Sequence, residues 1–169
     1  MILVTLGTQD KKFYRLIKEV DRLVEQKKIK DEVIVQAGSS SNYESDRIKI
    51  LKLIPMDEFD NLIKKCDLII THGGVGTILN GLKNNKKIIA VPRLKKYKEH
   101  VNDHQLQIVS NFSDEGYILK VENINTLFDV IEYSKVFKPK KYKENNKNFV
   151  NNLTKEIDKY LKGWCIWKF

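Results

Sequence analysis

The residues of this chain that can do chemistry gather in three short stretches. The sharpest is Thr71-His72-Gly73-Gly74-Val75-Gly76-Thr77, which leaves an apolar run and opens a segment with helical spacing. Glycines there let backbone N–H groups approach an anion closely, and a helix start adds partial positive charge. Thr77 places a hydroxyl in the first turn. The pattern has two uses: a cradle for a diphosphate, or a tight strand-to-helix turn whose glycines only serve packing. An imidazole at the strand tip favours the cradle, because an apolar turn has no need of one. The stretch is neither a P-loop nor a Gly-x-Gly-x-x-Gly fingerprint, since the lysine of the first and the spacing of the second are both missing.

The second stretch is Pro92-Arg93 followed by Glu99-His100-Val101-Asn102-Asp103-His104-Gln105. Asp103, His104 and Gln105 offer donors and acceptors suited to sugar hydroxyls. Asp103 suits the N-cap of a following helix equally well. Arg93, Lys95, Lys96 and Lys98 either neutralise a diphosphate or face water. The third stretch is Gly7-Thr8, a phosphate contact or a plain strand-to-helix link.

These stretches need elements to position them. Ile2 to Leu6, Val33 to Ala37, Ile48 to Ile54, Leu68 to Thr71, Ile88 to Val91 and Tyr117 to Val121 read as strands. Helical spacing runs through Lys11 to Lys27 with Asp10 as N-cap, Asp57 to Lys65, Val75 to Asn84, His104 to Phe112 and Ile124 to Tyr133. A basic stretch from Lys138 to Lys143 leads to a last helix, about 145 to 161, stopped by Gly163. Its stripe of Phe149, Val150, Leu153, Ile157, Tyr160 and Leu161 can pack on this domain or on a partner, as can the aromatic tail Trp164 to Phe169. Alternating strands and helices predict an α/β fold, a Rossmann-like parallel sheet with helices on both faces. Ligands of such sheets bind beyond the carboxyl ends of the strands, which selects the loops after Leu6, Thr71 and Val91. The polar loop Gly38 to Asp46 is the expected mobile segment.

At 169 residues, 41% hydrophobic and 31% charged, the chain suits one domain with a buried core. No apolar run approaches the length of a membrane span. Cys66 and Cys165 have neither metal nor disulfide spacing, which fits a reducing compartment. A net charge of +9 favours anionic partners, although a lysine-rich solvated surface accounts for most of it. Nucleic acid is the weakest of those partners, because no nucleic-acid motif is present.

Val4-Thr5-Leu6-Gly7-Thr8, the His72 turn, and Val91-Pro92-Arg93 through Gln105 together resemble the C-terminal, donor-binding domain of GT-B glycosyltransferases. The clan is that of the bacterial peptidoglycan N-acetylglucosaminyltransferase. The likeness is strongest to split, single-domain members that serve as small catalytic subunits of capsular and exopolysaccharide galactosyl- or glucosyltransferases. The small subunit of the dolichol-linked N-acetylglucosaminyltransferase is a more distant cousin. The resemblance runs from about residue 1 to 122 and implies a single donor-binding domain over 1–169. It implies that Gly7 and Thr8 border the cleft and that Ile54 to Met56 meet uracil. His72, Gly73, Gly74, Gly76 and Thr77 would hold the diphosphate, and His104 and Gln105 the donor sugar. Asn80 departs from the pattern: larger relatives carry a glutamate there that holds the ribose hydroxyls.

The activity implied is inverting transfer of a hexose from a UDP-sugar to a lipid-linked saccharide, with no cofactor and no obligatory metal. The first strand begins at Ile2, so the acceptor half is expected on a separate, membrane-anchored subunit. That partner would hold this chain on the cytoplasmic face of the plasma membrane. The catalytic base is open, with His100 a candidate within this chain. The alternative is a non-catalytic nucleotide-binding or regulatory module on the same fold.

Overall fold

The computed structural model describes residues 1–143; the expected last helix, Gly163, Cys165 and the aromatic tail lie outside the described residues. The elements run β1 (Ile2–Thr5), α1 (Tyr14–Glu25), β2 (Val33–Gln36), β3 (Lys49–Leu51), α2 (Met56–Lys65), β4 (Leu68–Thr71) and α3 (Val75–Lys83). They continue with β5 (Lys87–Ala90), α4 (His104–Asp114), β6 (Leu119–Lys120) and α5 (Leu127–Val136). The six strands form one sheet in the order β3-β2-β1-β4-β5-β6, and every pairing is parallel. The direction of winding reverses between β1 and β4, and that switch point opens a crevice at their carboxyl ends.

β1 and β4 are buried at every position, as their unbroken apolar runs require. Alternate residues serve opposite faces. Ile2, Val4 and Leu6 pack with Leu16, Ile17 and Val20 of α1 and with Leu127 and Ile131 of α5. Leu3 and Ile69 pack with Ile63 of α2, Ile78 and Leu82 of α3, and Phe112 of α4. The sheet is therefore covered on both faces, as expected. Tyr142 sits edge-on to Tyr117, with ring centroids 6.0 Å apart, so the basic stretch docks on the α4 side of the sheet.

Three local expectations are corrected. Asp10 is not the cap of α1, which starts four residues later behind Phe13 and has no side-chain cap. The intervening backbone is held by other partners: the Phe13 N–H donates to Ser40 Oγ at 2.7 Å, and the Lys11 carbonyl accepts from Arg93 at 2.6 Å. β3 stops at Leu51 rather than Ile54, because the chain turns toward the crevice and presents Leu53 and Ile54 there. The Gly38 to Asp46 loop is tied down rather than loose. It begins with a 3-10 turn whose Gly38 and Ser40 are buried, and Tyr43 and Ser45 both donate to Asp21 at 2.8 Å.

Candidate active site

At the switch point lies a cavity of about 500 Å³. Its floor is built from the ends of β1 and β4. Thr5 Oγ1 donates to Thr71 Oγ1 at 3.0 Å, joining the two strand tips. The next residue on β4, His72, is buried, and its Nδ1 lies 3.3 Å from the Thr5 carbonyl oxygen. A carbonyl only accepts, so a bond to Thr5 puts the proton on Nδ1; the Thr71 hydroxyl, 3.4 Å from the same nitrogen, can donate to the other tautomer. Burial first, and the Arg93 charge second, push the His72 pKa down to about 4, so the ring is neutral near pH 7.

The glycines of the turn serve different ends. A Cβ on Gly74 would sit 2.5 Å from His72 Nε2, and one on Gly73, at φ +90°, would sit 2.6 Å from Val109. Both are fixed by packing inside the protein. A Cβ on Gly76 would meet nothing within 4 Å among the described residues, yet Gly76 lines the cavity. Nothing in the fold requires that residue to lack a side chain; a ligand approaching the backbone would.

α3 begins at Val75 with Gly74 in an extended conformation at the N-cap and no side-chain cap. The first intrahelical bond is from the Ile78 N–H to the Gly74 carbonyl, at 3.1 Å. The N–H groups of Val75, Gly76 and Thr77 therefore have no acceptor among the described residues, and the helix dipole adds to their positive character. An uncapped first turn opening on a cavity has the polarity that suits an anion.

Of the residues expected at the site, the structure brings Gly7, Thr8, Met56, His72, Gly74, Gly76, Thr77, Asn80 and Gln105 together around this one cavity. Gln105 Oε1 accepts from the Arg93 N–H at 3.1 Å, which orients the side chain at the cavity wall. Leu53, Ile54 and Met56 add apolar surface to the lining, Leu53 and Met56 being 65% and 71% exposed. Sequence reasoning missed Gln9, Gln36 and Phe59, which also line the cavity. Gln36 Nε2 donates to the Gly7 carbonyl at 3.3 Å and so shapes that turn. Its one sequence signal was an amide at the end of an otherwise apolar strand.

Asn80 stands differently from the expected carboxylate. Its Nδ2 donates to Asp60 Oδ1 at 2.7 Å, while its Oδ1 accepts from Asn84 at 3.0 Å. The negative charge lies one helix away, on α2, and reaches the cavity only through the amide.

Four expected residues stand elsewhere. Arg93 is 1% exposed and neither meets the cavity nor faces water. Its guanidinium donates to the carbonyls of Leu6, Lys11 and Glu99 at 2.6 to 3.1 Å and stacks on Phe13, bracing the loop after β1 against the loop after β5. Gly73 faces Val109 rather than the cavity. His104 is the first residue of α4, but its Nδ1 lies 3.4 Å from Gln107 Oε1 and it is outside the cavity lining. Asp103 occupies the N-cap position of α4, as expected, but its side chain makes no capping bond; its Oδ1 accepts from the Lys95 N–H at 2.8 Å. His100 borders the site at one remove, with Nε2 3.2 Å from the Gln9 amide nitrogen and Nδ1 3.0 Å from the Asn102 carbonyl.

A parallel sheet in this order, with a glycine-rich, uncapped helix start at its switch point, defines a Rossmann-like domain of the GT-B C-terminal type. The sequence model of the glycosyltransferase family 28 C-terminal domain matches residues 1–160, and the chain belongs to that family. It is 30% identical over 146 residues to a UDP-N-acetylglucosamine--N-acetylmuramyl-(pentapeptide) pyrophosphoryl-undecaprenol N-acetylglucosamine transferase of Prochlorococcus marinus, covering 76% of this chain and 39% of that protein. Over 53 residues it is 40% identical to UDP-N-acetylglucosamine transferase subunit ALG13 of Candida glabrata, covering 31% of this chain and 25% of that protein. This chain thus spans well under half the length of either relative. Among solved structures, the fold is similar to UDP-GlcNAc 2-epimerase of Methanocaldococcus jannaschii, solved in complex with UDP-GlcNAc and UDP. That match has a TM-score of 0.61 and 17% identity and covers 90% of this chain and 44% of that one. The solution structure of ALG13 matches with a TM-score of 0.58 and 19% identity, covering 90% and 94%.

Proposed function

We propose that this domain binds the UDP-sugar donor of an inverting glycosyltransferase and supports transfer of the sugar to a lipid-linked saccharide. The observation that carries the reading is the first turn of α3: three backbone N–H groups without acceptors among the described residues, at the edge of a cavity that Gly76 and Thr77 line. A diphosphate placed there accepts from those groups and from Thr77. As the glycosidic bond breaks, charge grows on the departing diphosphate, and donors already in place stabilise it without reorganising. No resident metal is needed for that role. With its proton on Nδ1, His72 would take up a second one to meet a phosphate oxygen, and the nearby anion favours that uptake; with the proton on Nε2 it would donate directly.

Leu53, Ile54 and Met56 would cover the base. Asn80, held by Asp60, would meet the ribose: the carboxylate polarises the amide, a weaker substitute for a direct charge–hydroxyl bond. Gln105 would meet the sugar. His100 is the candidate base within this chain, since its Nε2 accepts from Gln9 and would be released if Gln9 turned to substrate. A membrane-anchored acceptor-binding subunit would supply the other wall of the cleft, placing the chain on the cytoplasmic face of the membrane. The relation to a protein named as a transferase subunit supports this arrangement.

Galactose or glucose as donor sugar, and capsule or exopolysaccharide as product, follow from the resemblance to split transferases. The names of the curated relatives favour N-acetylglucosamine as a second reading of the donor. Calorimetry of the purified chain with UDP-galactose, UDP-glucose and UDP-N-acetylglucosamine decides among them. The chain alone is expected to bind one of these and to transfer little until an acceptor-binding subunit is added. Full turnover by the chain alone would overturn the two-subunit arrangement, and no affinity for any UDP-sugar would overturn the donor-domain reading.

A further inference from the structure

Beside the donor cavity, across the Gln9–His100 contact, lies a second groove of about 570 Å³. Lys12, Lys18 and Lys98 line it, with Tyr14, Tyr97 and the Arg15–Glu99 pair. Arg15 and Glu99 neutralise each other through two bonds of 3.0 and 2.9 Å. Lys95 and Lys96 stand in the same short turn as Tyr97, and Lys98 follows it in a left-handed conformation, φ +59°. None of these five lysines is within ion-pair distance of a carboxylate among the described residues. Two large apolar side chains project from the same loop: Tyr97 is 51% exposed and Val101 64%.

We propose that this edge of the domain seats directly on an anionic lipid surface, with headgroup phosphates among the lysines and with Tyr97 and Val101 at the interface. The chemistry favours lipid over an acidic protein. Lysines on flexible stems suit a diffuse layer of phosphates, whereas fixed carboxylates are better matched by arginine forks. Tyrosine is at home in the headgroup region. The two exposed apolar residues are too few for the core of a protein interface but suffice to dip into a headgroup layer. The inference stands on this surface alone. If the transferase reading holds, it turns the donor cavity toward the membrane that carries a lipid-linked acceptor.

The test is sedimentation of the full chain with vesicles of phosphatidylcholine alone or mixed with phosphatidylglycerol. Binding is expected only to the mixed vesicles and falls with added salt. The triple variant K95E/K96E/K98E should lower that binding at least about tenfold, because each lysine near such a surface is worth a several-fold factor. The charge-matched triple K30E/K64E/K65E alters lysines at the opposite, amino-terminal edge of the sheet and should lower it far less. Y97S/V101S should lower it by about threefold. Equal losses in the two triples would mean that net charge alone draws the chain to lipid, which overturns the proposal. So would vesicle binding that survives the K95E/K96E/K98E changes, absence of binding by the unaltered chain, or preference for an acidic protein over the vesicles. UDP affinity, measured on every variant, should stay unchanged. Its absence in all forms would defeat the donor-domain reading without touching this one.

Discussion

Two buried polar sites in this domain are built on opposite terms. Asp21 projects from α1 and is almost wholly enclosed, yet both its oxygens are saturated. Arg47 donates to them at 2.9 and 3.0 Å, and Tyr43 and Ser45 each donate at 2.8 Å. Burial opposes its charge, but the bonds from Arg47, Tyr43 and Ser45 outweigh burial and hold the carboxyl below the ordinary range. Burial, with the bond to Asp21, pushes Tyr43 up to about 12. The His72 turn is nearly as buried, but its polar groups are not saturated from within: Nε2 and the first N–H groups of α3 face a cavity. A closed network fixes a loop to a helix, while an open one holds polarity ready for something from outside. The contrast teaches which buried polar residues to assign to folding and which to binding.

Breaking the closed site should cost the most. Asp21→Ala leaves Tyr43 and Ser45 without their acceptor and frees the loop after β2, so chemical denaturation should register a loss of about 2–4 kcal/mol. The folded fraction should bind UDP as before. Weaker UDP binding at unchanged stability would mean that the two sites are not separate.

The open site should reveal itself through pH. Because the folded pKa of His72 is depressed to about 4, its unfolded form binds the proton first as pH falls. Its share of stability is complete above about pH 6.5 and is lost as pH drops toward 4, by up to about 3 kcal/mol. Subtracting the denaturation profile of His72→Asn from that of the unaltered chain isolates this share. A flat difference across that window would show that His72 is not held neutral.

Gly76→Val sharpens the comparison by separating fold from ligand. A Cβ there meets nothing within 4 Å among the described residues, and valine is no worse than glycine in a helix. Stability should therefore hold or rise slightly, while UDP binding weakens by about 2 kcal/mol, roughly thirtyfold. Gly74 is a poorer probe, because its substitution would strike His72 first. The smallest effect is expected at the ribose. Asn80→Ala should cost UDP about 1 kcal/mol, roughly fivefold, and 2′-deoxy-UDP less. Equal losses for the two nucleotides would remove Asn80 from the ribose.

The parallel sheet and the carboxyl-edge loops were legible in the sequence because β1, β4 and β5 are apolar runs whose ends are marked by glycine, histidine and proline. The turn after β4 was legible for the same reason: glycine spacing and a stray imidazole are local signals. What was not legible depends on contacts far apart in the chain. Arg93 looked like a phosphate ligand by its position after β5. Its three partners are carbonyls from 6, 82 and 87 residues away, which no local pattern reveals. The alternation of Ile48 to Ile54 read as a longer strand, because residues lining a ligand cavity are as apolar as residues lining a core. Asp60 escaped notice because its role exists only through Asn80 on the next helix. Asp10 read as a cap because that sequence rule cannot see Ser40 taking up the Phe13 N–H.

The central claim is that the first turn of α3 is an anion site for a nucleoside diphosphate. Titrating UDP into the isotopically labelled chain and following backbone amide resonances tests it most directly. The largest shifts should fall on Gly74, Val75, Gly76 and Thr77, with smaller ones at Gly7 and Gln105 and none at Tyr43, Ser45 or Arg47. Saturable binding with unshifted α3 amides, or shifts centred on the Asp21 network, would contradict the account.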